Sequence, residues 1–209
     1  MRSADRCSLC GHPAHRLDLL PLDAYAYLLG LYLGDGTIST GARRVFRLRI
    51  ALDQRYPGIV ASCAVAVQAV VPANRVLVLA RRESRTIEVS AYSKQWPCLL
   101  PQHGAGRKHD RPIRLAPWQR PYVEQATEAF LRGLIHSDGC RSMNRIRHGD
   151  RTYSYPRYQF TNASADIRDL FTSACDDLGV RWRTMNARNI SVSRREDVAR
   201  LDRFIGAKR

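Results

Sequence analysis

The stretch Leu28-Leu29-Gly30-Leu31-Tyr32-Leu33-Gly34-Asp35-Gly36 returns later in the chain as Leu131-Arg132-Gly133-Leu134-Ile135-His136-Ser137-Asp138-Gly139. Each copy is an apolar helical run with a glycine at its third position and an Asp-Gly pair at its end. A glycine on the apolar face lets a second helix approach to backbone contact. Two such helices packed together deliver Asp35 and Asp138 to one place, and paired carboxylates of this kind form a divalent-cation site. A single Asp-Gly is explained as a helix stop whose carboxylate binds local backbone groups. Two, at matching positions half a chain apart, mark an internal duplication.

The remaining periodicity fits that duplication, each repeat reading as helix, two strands, helix, two strands and a short helix. In the first repeat a helix runs over about Asp23–Leu33, with Asp23 as its N-cap and Pro21 outside it. Phe46, Leu48, Ile50 and Leu52 alternate with Arg47 and Arg49, giving a strand with one dry and one basic face. A helix over Pro57–Val71 packs on the dry face and stops before Pro72. Strands Arg75–Ala80 and Thr86–Tyr92 and a short helix near Lys94–Leu100 close the half.

A Gly-, Pro- and Arg-rich stretch from Pro101 to Pro121 separates the repeats. The second repeat predicts a helix over Pro121–Ser137, strands within Cys140–Arg147 and Arg151–Thr161, and a helix over Ser164–Leu178 capped by Gly179. Strands Val180–Met185 and Asn189–Ser193 and a helix over Glu196–Ile205 follow. The plan is therefore a leader (1–19), a first repeat (20–100), a linker (101–120) and a second repeat (121–209). The fold class is α+β: two pseudo-symmetric αββαββα halves, each a four-stranded antiparallel sheet with helices on one face. The uncovered faces lie side by side as a saddle.

Lys and Arg number 34 against 19 Asp and Glu, a formal charge of +15, so a polyanion is the expected partner. Most of this charge is Arg, whose planar fork suits phosphate and guanine edges. The outward strand positions are Arg47, Arg49, Arg81, Arg145, Arg147, Arg157, Arg181 and Arg183, interleaved with Gln159, Thr161, Asn186 and Ser191. That mixture suits phosphate positioning with base-edge readout. Ordinary solvation is the plain alternative, but the same strands almost lack acids, Glu88 being the exception. No apolar run approaches the ~20 residues of a spanning helix, and Met1–Asp5 lacks the apolar stretch of a signal peptide. A cytoplasmic protein associated with the nucleoid, its cysteines reduced, is expected.

The doubled motif resembles that of the LAGLIDADG homing endonucleases in their single-chain form, and the resemblance extends from about Leu20 to the C-terminus. It implies a sequence-specific endonuclease that hydrolyses both strands of duplex DNA across the minor groove and leaves staggered ends. The implied cofactor is Mg²⁺ or Mn²⁺ on Asp35 and Asp138, with the peptide oxygens of Gly34 and Ser137 as further ligands. Gln54 and Asn162 match the polar residue near the end of the second strand of each half that positions water. Lys108 in the first half and, as a second candidate, Lys208 in the second match the basic residue that approaches the scissile phosphate, with plain linker and tail charges as the alternative. One chain with both halves acts as a monomer without a protein partner. Tyr32, Arg132 and His136 depart from the usual packing face and predict a looser helix interface. The competing reading is a DNA-binding regulator that keeps the fold without cleavage, and assistance of RNA splicing is a third.

The leader contains Cys7-Ser8-Leu9-Cys10 followed by His12 and His15. This CxxC knuckle suits a structural zinc, which needs four ligands. His12 and His15 complete the set, or Cys98 and His103 from the linker side do. A weakly packed leader with reduced thiols is the alternative. Cys63 and Cys175, in apolar helical stretches, are assigned to the core.

Overall fold

Helix α1 (Leu22–Asp35) is buried continuously from Tyr25 to Leu33 in the computed structural model, which describes residues 7, 10, 15–82, 84–206 and 208. A helix apolar on every side belongs at the centre of a protein. Here α1 packs lengthwise on α5 (Thr127–Asp138), the other copy of the motif, and also on α2 (Pro57–Val70). α1 runs two residues past Leu33, so that Asp35 is its last residue, as Asp138 is of α5. Pro21 takes the N-cap position, and Asp23 sits in the first turn instead, where its charge complements the helix dipole.

The first sheet has the order β1-β2-β4-β3, formed by β1 (Gly36–Thr40), β2 (Phe46–Asp53), β3 (Val76–Ala80) and β4 (Thr86–Ser93). The second has the same order, β5-β6-β8-β7, from β5 (Gly139–His148), β6 (Arg151–Thr161), β7 (Arg183–Asn186) and β8 (Asn189–Val192). All pairings are antiparallel. Four further helices complete the fold: α3 (Trp96–Leu99), α4 (Arg120–Gln125), α6 (Ala165–Asp177) and α7 (Arg195–Ile205). Ser164 caps α6 by accepting the Ile167 amide, and Gly179, at φ 63°, ends it in the left-handed conformation that glycine tolerates.

One continuous apolar core spans both halves, and Cys63 and Cys175 lie wholly inside it. The connection between repeats is threaded into that core. Gln102, Ile113 and Gln119 are buried; Gln119 donates to the Tyr25 hydroxyl at 2.6 Å, and that hydroxyl donates to Leu99 O at 2.7 Å. Its glycines and prolines thus shape a fixed crossing. Where one helix over Pro121–Ser137 was expected, the backbone leaves the helical region at Ala126 (φ −127°, ψ 44°), dividing α4 from α5 with no proline or glycine at the break.

Register fixes the face of each arginine. Leu48, Ile50 and Leu52 point into the core, which puts Arg47 and Arg49 on the open face of the first sheet. In the second sheet Tyr158 and Phe160 are buried, so Arg157 and Gln159 are on the open face, with Ser191 and Arg183 in register. Arg145 and Arg147 break the expectation. β5 pairs Gly139 with Phe160, and counting by twos from Gly139 puts Arg141, Met143, Arg145 and Arg147 on the helix side. Arg141 verifies this by reaching Asp202 of α7 at 2.7 Å. Arg181 precedes β7, which begins at Arg183, three residues after the expected start at Val180. Among the described residues no helix is long and apolar enough to cross a membrane.

Candidate metal centre at the helix seam

The seam is built main chain on main chain. A Cβ added at Gly30 would fall 2.8 Å from Leu134 N and nearer still to Phe130 O, and one at Gly133 would fall 3.0 Å from Gly30 Cα. No larger residue fits at either position without parting the helices. The expected looseness is therefore absent. His136 is buried, its Nδ1 accepting from the Tyr27 hydroxyl at 2.8 Å and its Nε2–H donating to Ile205 O at 3.1 Å. Arg132 lies over the Tyr27 ring at 4.5 Å. Burial pushes the His136 imidazole down to about 4, which keeps it neutral and fits these two roles.

At the end of this seam Asp35 and Asp138 line one cleft of about 540 Å³ with Lys108 and Asn162. Asp138 Oδ2 is so close to the first motif that a Cβ on Gly34 would stand 2.8 Å from it. Burial first, and the neighbouring Asp138 second, push Asp35 up to about 6, with Lys108 and Lys208 pulling the other way. Asp138 is raised as well, chiefly by burial, opposed by the hydrogen bond from Asn162. Asn162 Nδ2 donates to Asp138 Oδ2 at 2.6 Å, while its Oδ1 accepts from the Ser164 amide at 2.7 Å. Its position is thus set from both ends of its side chain.

Two lysines cap the two motif helices. Lys108 Nζ donates to Tyr32 O and, at 3.1 Å, to Gly34 O. Lys208 Nζ donates to Gly139 O. Burial pushes Lys108 down to about 8 against the pull of both aspartates, and it lowers Lys208 too. The Gly34 carbonyl expected as a metal ligand is thus held by an ammonium here; at Ser137, whose peptide oxygen is the other expected ligand, the hydroxyl turns back to Gly133 O at 3.1 Å and Leu134 O at 3.0 Å.

Gln54 stands apart from this group. Its amide donates to Arg85 O at 2.9 Å, as the Asn162 amide does to Arg188 O at 3.0 Å, so the two residues hold equivalent turn positions. The strands leading to them differ. Gly36 pairs with Ile50 and Gly139 with Phe160, so the first-half turn lies four residues beyond the pairing point and the second-half turn only two. The extra two residues carry Gln54 about 7 Å further along the strand, and it is exposed and lines neither cleft at the seam. Asp53 and Tyr56 instead line the second, smaller cleft of about 290 Å³, with Asp35, Ser137, Cys140 and Lys208. The alternation of β2 marked Asp53 as open-faced, but its neighbour was the better match to the motif.

On the open faces, Glu88 is buried beneath two of the arginines, its Oε1 accepting from Arg47 at 2.5 Å and its Oε2 from Arg81. The guanidinium Nε of Arg49 and of Arg157 are buried with no partner among the described residues. In the leader, Cys7, Cys10 and His15 gather with Cys98, while His103 lies elsewhere, lining the larger cleft. His12 falls outside the described residues.

The donor set suits a hard divalent cation. Two half-buried carboxylates face one cleft, Asp35 is raised partly by Asp138, and a bound cation would relieve that repulsion.

Comparisons with protein-family models and with curated proteins give no match. Solved structures do match. The homing endonuclease I-DmoI, in complex with DNA and Mn, superposes with a TM-score of 0.58 at 14% identity, over 88% of this chain and 96% of that one. The LAGLIDADG meganuclease I-AabMI, bound to uncleaved DNA, gives 0.54 at 10% identity over 86% and 82%. Full-length DUF199/WhiA from Thermatoga maritima gives 0.53 at 15% identity, over 96% of this chain and 60% of that one. At such identities the likeness is one of architecture. The doubled helix seam, the two matching sheets and these superpositions together show that the chain has the two-repeat fold of the LAGLIDADG homing endonucleases.

Proposed function

We propose that the protein is a divalent-metal-dependent endonuclease that cuts both strands of duplex DNA. The observation that carries this reading is the convergence of Asp35 and Asp138 in one cleft with Lys108 and Asn162. A DNA-binding protein without cleavage gains nothing from two half-buried carboxylates aimed at its ligand's phosphates, since bare carboxylates repel them.

Asp35 and Asp138 would hold the cation, Mg²⁺ or Mn²⁺. Bound there, it would activate water and stabilise the charge developing on the leaving oxygen. Asn162 fixes the rotamer of Asp138 and leaves its other carboxylate oxygen available. Lys108 presents an ammonium to the scissile phosphate of one strand and Lys208 to that of the other, each on the backbone end of a motif helix. Arg47, Arg49, Arg81, Arg157 and Arg183, with Gln159, face the duplex from the two sheets, where their guanidinium and amide groups would donate to phosphate or base edges. Arg181 joins them from the loop before β7. Both halves lie on one chain, so the active species is a monomer.

The test is cleavage of a randomised duplex library with Mg²⁺ or Mn²⁺, comparing wild type with Asp35→Asn and Asp138→Asn. Staggered double-strand products from the wild type alone support the reading. Sequence-selective binding without cutting by all three proteins would replace it with a DNA-binding regulator.

A further inference from the structure

Away from the seam, Cys7, Cys10, His15 and Cys98 each direct one ligating atom to a common point, and these four atoms all lie within 4.8 Å of one another. Cys7 Sγ is 3.6 Å from Cys98 Sγ, and Cys10 Sγ is 3.0 Å from His15 Nε2. Sulfur at about 2.3 Å and nitrogen at about 2.0 Å from a tetrahedral centre stand roughly 3.5–3.8 Å from each other. The observed spacings bracket that of a coordination shell. Cys10 and Cys98 are buried. We propose that Cys7, Cys10, His15 and Cys98 form a structural zinc site that fastens the leader to α3.

Soft thiolates with one imidazole select zinc over the hard cations that two carboxylates attract, so the leader and the seam take different metals. Four protein ligands leave no open coordination position, which assigns the site to structure and not to catalysis. Its fourth ligand comes from a firm base. α3 is anchored by Trp96, wholly buried and donating from Nε1 to Ala91 O at 2.9 Å, and by the Tyr25 hydroxyl on Leu99 O. Leaving α3, the chain passes Gln102 and reaches Lys108 at the seam, with Arg111 donating to Gln102 O at 2.5 Å on the way. The metal therefore clips the leader to the start of the segment that delivers Lys108. His12, the nearest alternative ligand in sequence, is not needed for a complete set.

The experiment is zinc analysis of the full-length chain purified under reducing conditions with no added metal. About one zinc per chain is expected. Cys7→Ser and Cys98→Ser should each lower that to below about one third, whereas Asp35→Asn and Asp138→Asn should leave it unchanged. Because Cys98 sits close to the core, Cys7→Ser serves as the variant whose fold is secure, checked by circular dichroism. Replacement of zinc by Co²⁺ should give the thiolate charge-transfer and intense visible bands of a tetrahedral sulfur-rich site in the wild type, displaced in Cys7→Ser. Zinc below about a tenth of an equivalent, full zinc retention in Cys98→Ser, or a Cys7–Cys98 disulfide in the purified protein would each overturn the proposal.

Discussion

The two halves share a topology and a strand order, yet they place their acids and amides differently. In the second half Asn162 holds Asp138 at 2.6 Å, and an acid of α7, Asp202, meets the sheet from the helix side, bound to Arg141 and to the Tyr158 hydroxyl. In the first half Gln54 has moved past the seam, and the sheet's acid, Glu88, lies on the open face beneath Arg47 and Arg81. The lesson is that duplication preserves what the backbone dictates and releases what side chains decide. The glycine contacts at Gly30 and Gly133 are reciprocal, whereas the chemistry around each aspartate is not. For the proposed endonuclease, two half-sites of unequal quality would follow from a nearly symmetric frame.

The largest effect is expected at the two acids that end the motif helices. Asp35→Asn and Asp138→Asn should each lower cleavage by at least about 100-fold, several kcal/mol of lost charge stabilisation, with DNA affinity unchanged in gel-shift titration. Equal losses from the two variants would show one shared centre, and wild-type rates in either would remove that aspartate from it. Next in size is the seam itself. Gly30→Val and Gly133→Val should each cost about 3 kcal/mol through overpacking, lowering the melting temperature by about 6–12 °C for a chain of this size. A silent substitution at one glycine would mean that the contact is not reciprocal.

The asymmetry enters with the third prediction. Asn162→Ala should slow the cutting of one strand by about tenfold, near 1.4 kcal/mol, while Gln54→Ala changes either strand by less than about twofold. Strand-resolved nicking assays separate these, and equal effects of the two substitutions would erase the distinction between half-sites. Smaller still, Glu88→Gln should release Arg47 and Arg81 for the duplex and steepen the logarithmic salt dependence of binding by about one unit. A salt response that is flat in the wild type would contradict the basic saddle itself.

The smallest effect concerns acid. Asp202 is held below the usual carboxylate range by the hydrogen bond from Arg141 and by that from Tyr158. Its stabilisation is present above about pH 4, the ordinary carboxylate value, and is lost as pH falls through the lowered folded value. At its partial exposure this amounts to less than about 1 kcal/mol. Asp202→Asn should therefore flatten the acid limb of the stability curve only slightly, as urea titrations from pH 6 to pH 2 would read.

Much of this was legible in the residues. The glycines of the motif announced a close helix pair, and the two Asp-Gly ends announced where it leads. β2 alternates so strictly that Arg47 and Arg49 could be assigned a face at once. What stayed hidden depended on counting between strands. No local pattern reveals that β5 starts its alternation from Gly139, and a one-residue difference in register sends Arg145 and Arg147 to the helix side. Gln54 failed for a similar reason, since the longer reach of β2 beyond its pairing point is a property of two strands together. His136 and Arg132 looked disruptive because their partners, Ile205 O and the Tyr27 ring, come from distant parts of the chain or the other motif. The linker composition marks a separation of the repeats, and only the buried Gln102 and Gln119 show that it is packed into the core.

Because peptide backbone meets peptide backbone where Gly30 crosses Gly133, and the small Ser137 side chain lies against Gly34 nearer the acids, the spacing of α1 and α5 is a fixed gauge. On the proposed endonuclease reading, exchange of the exposed strand positions alters which duplex is gripped while the jaw opening stays the same. A lineage with that activity would be free to change its target and bound to keep its cutting span.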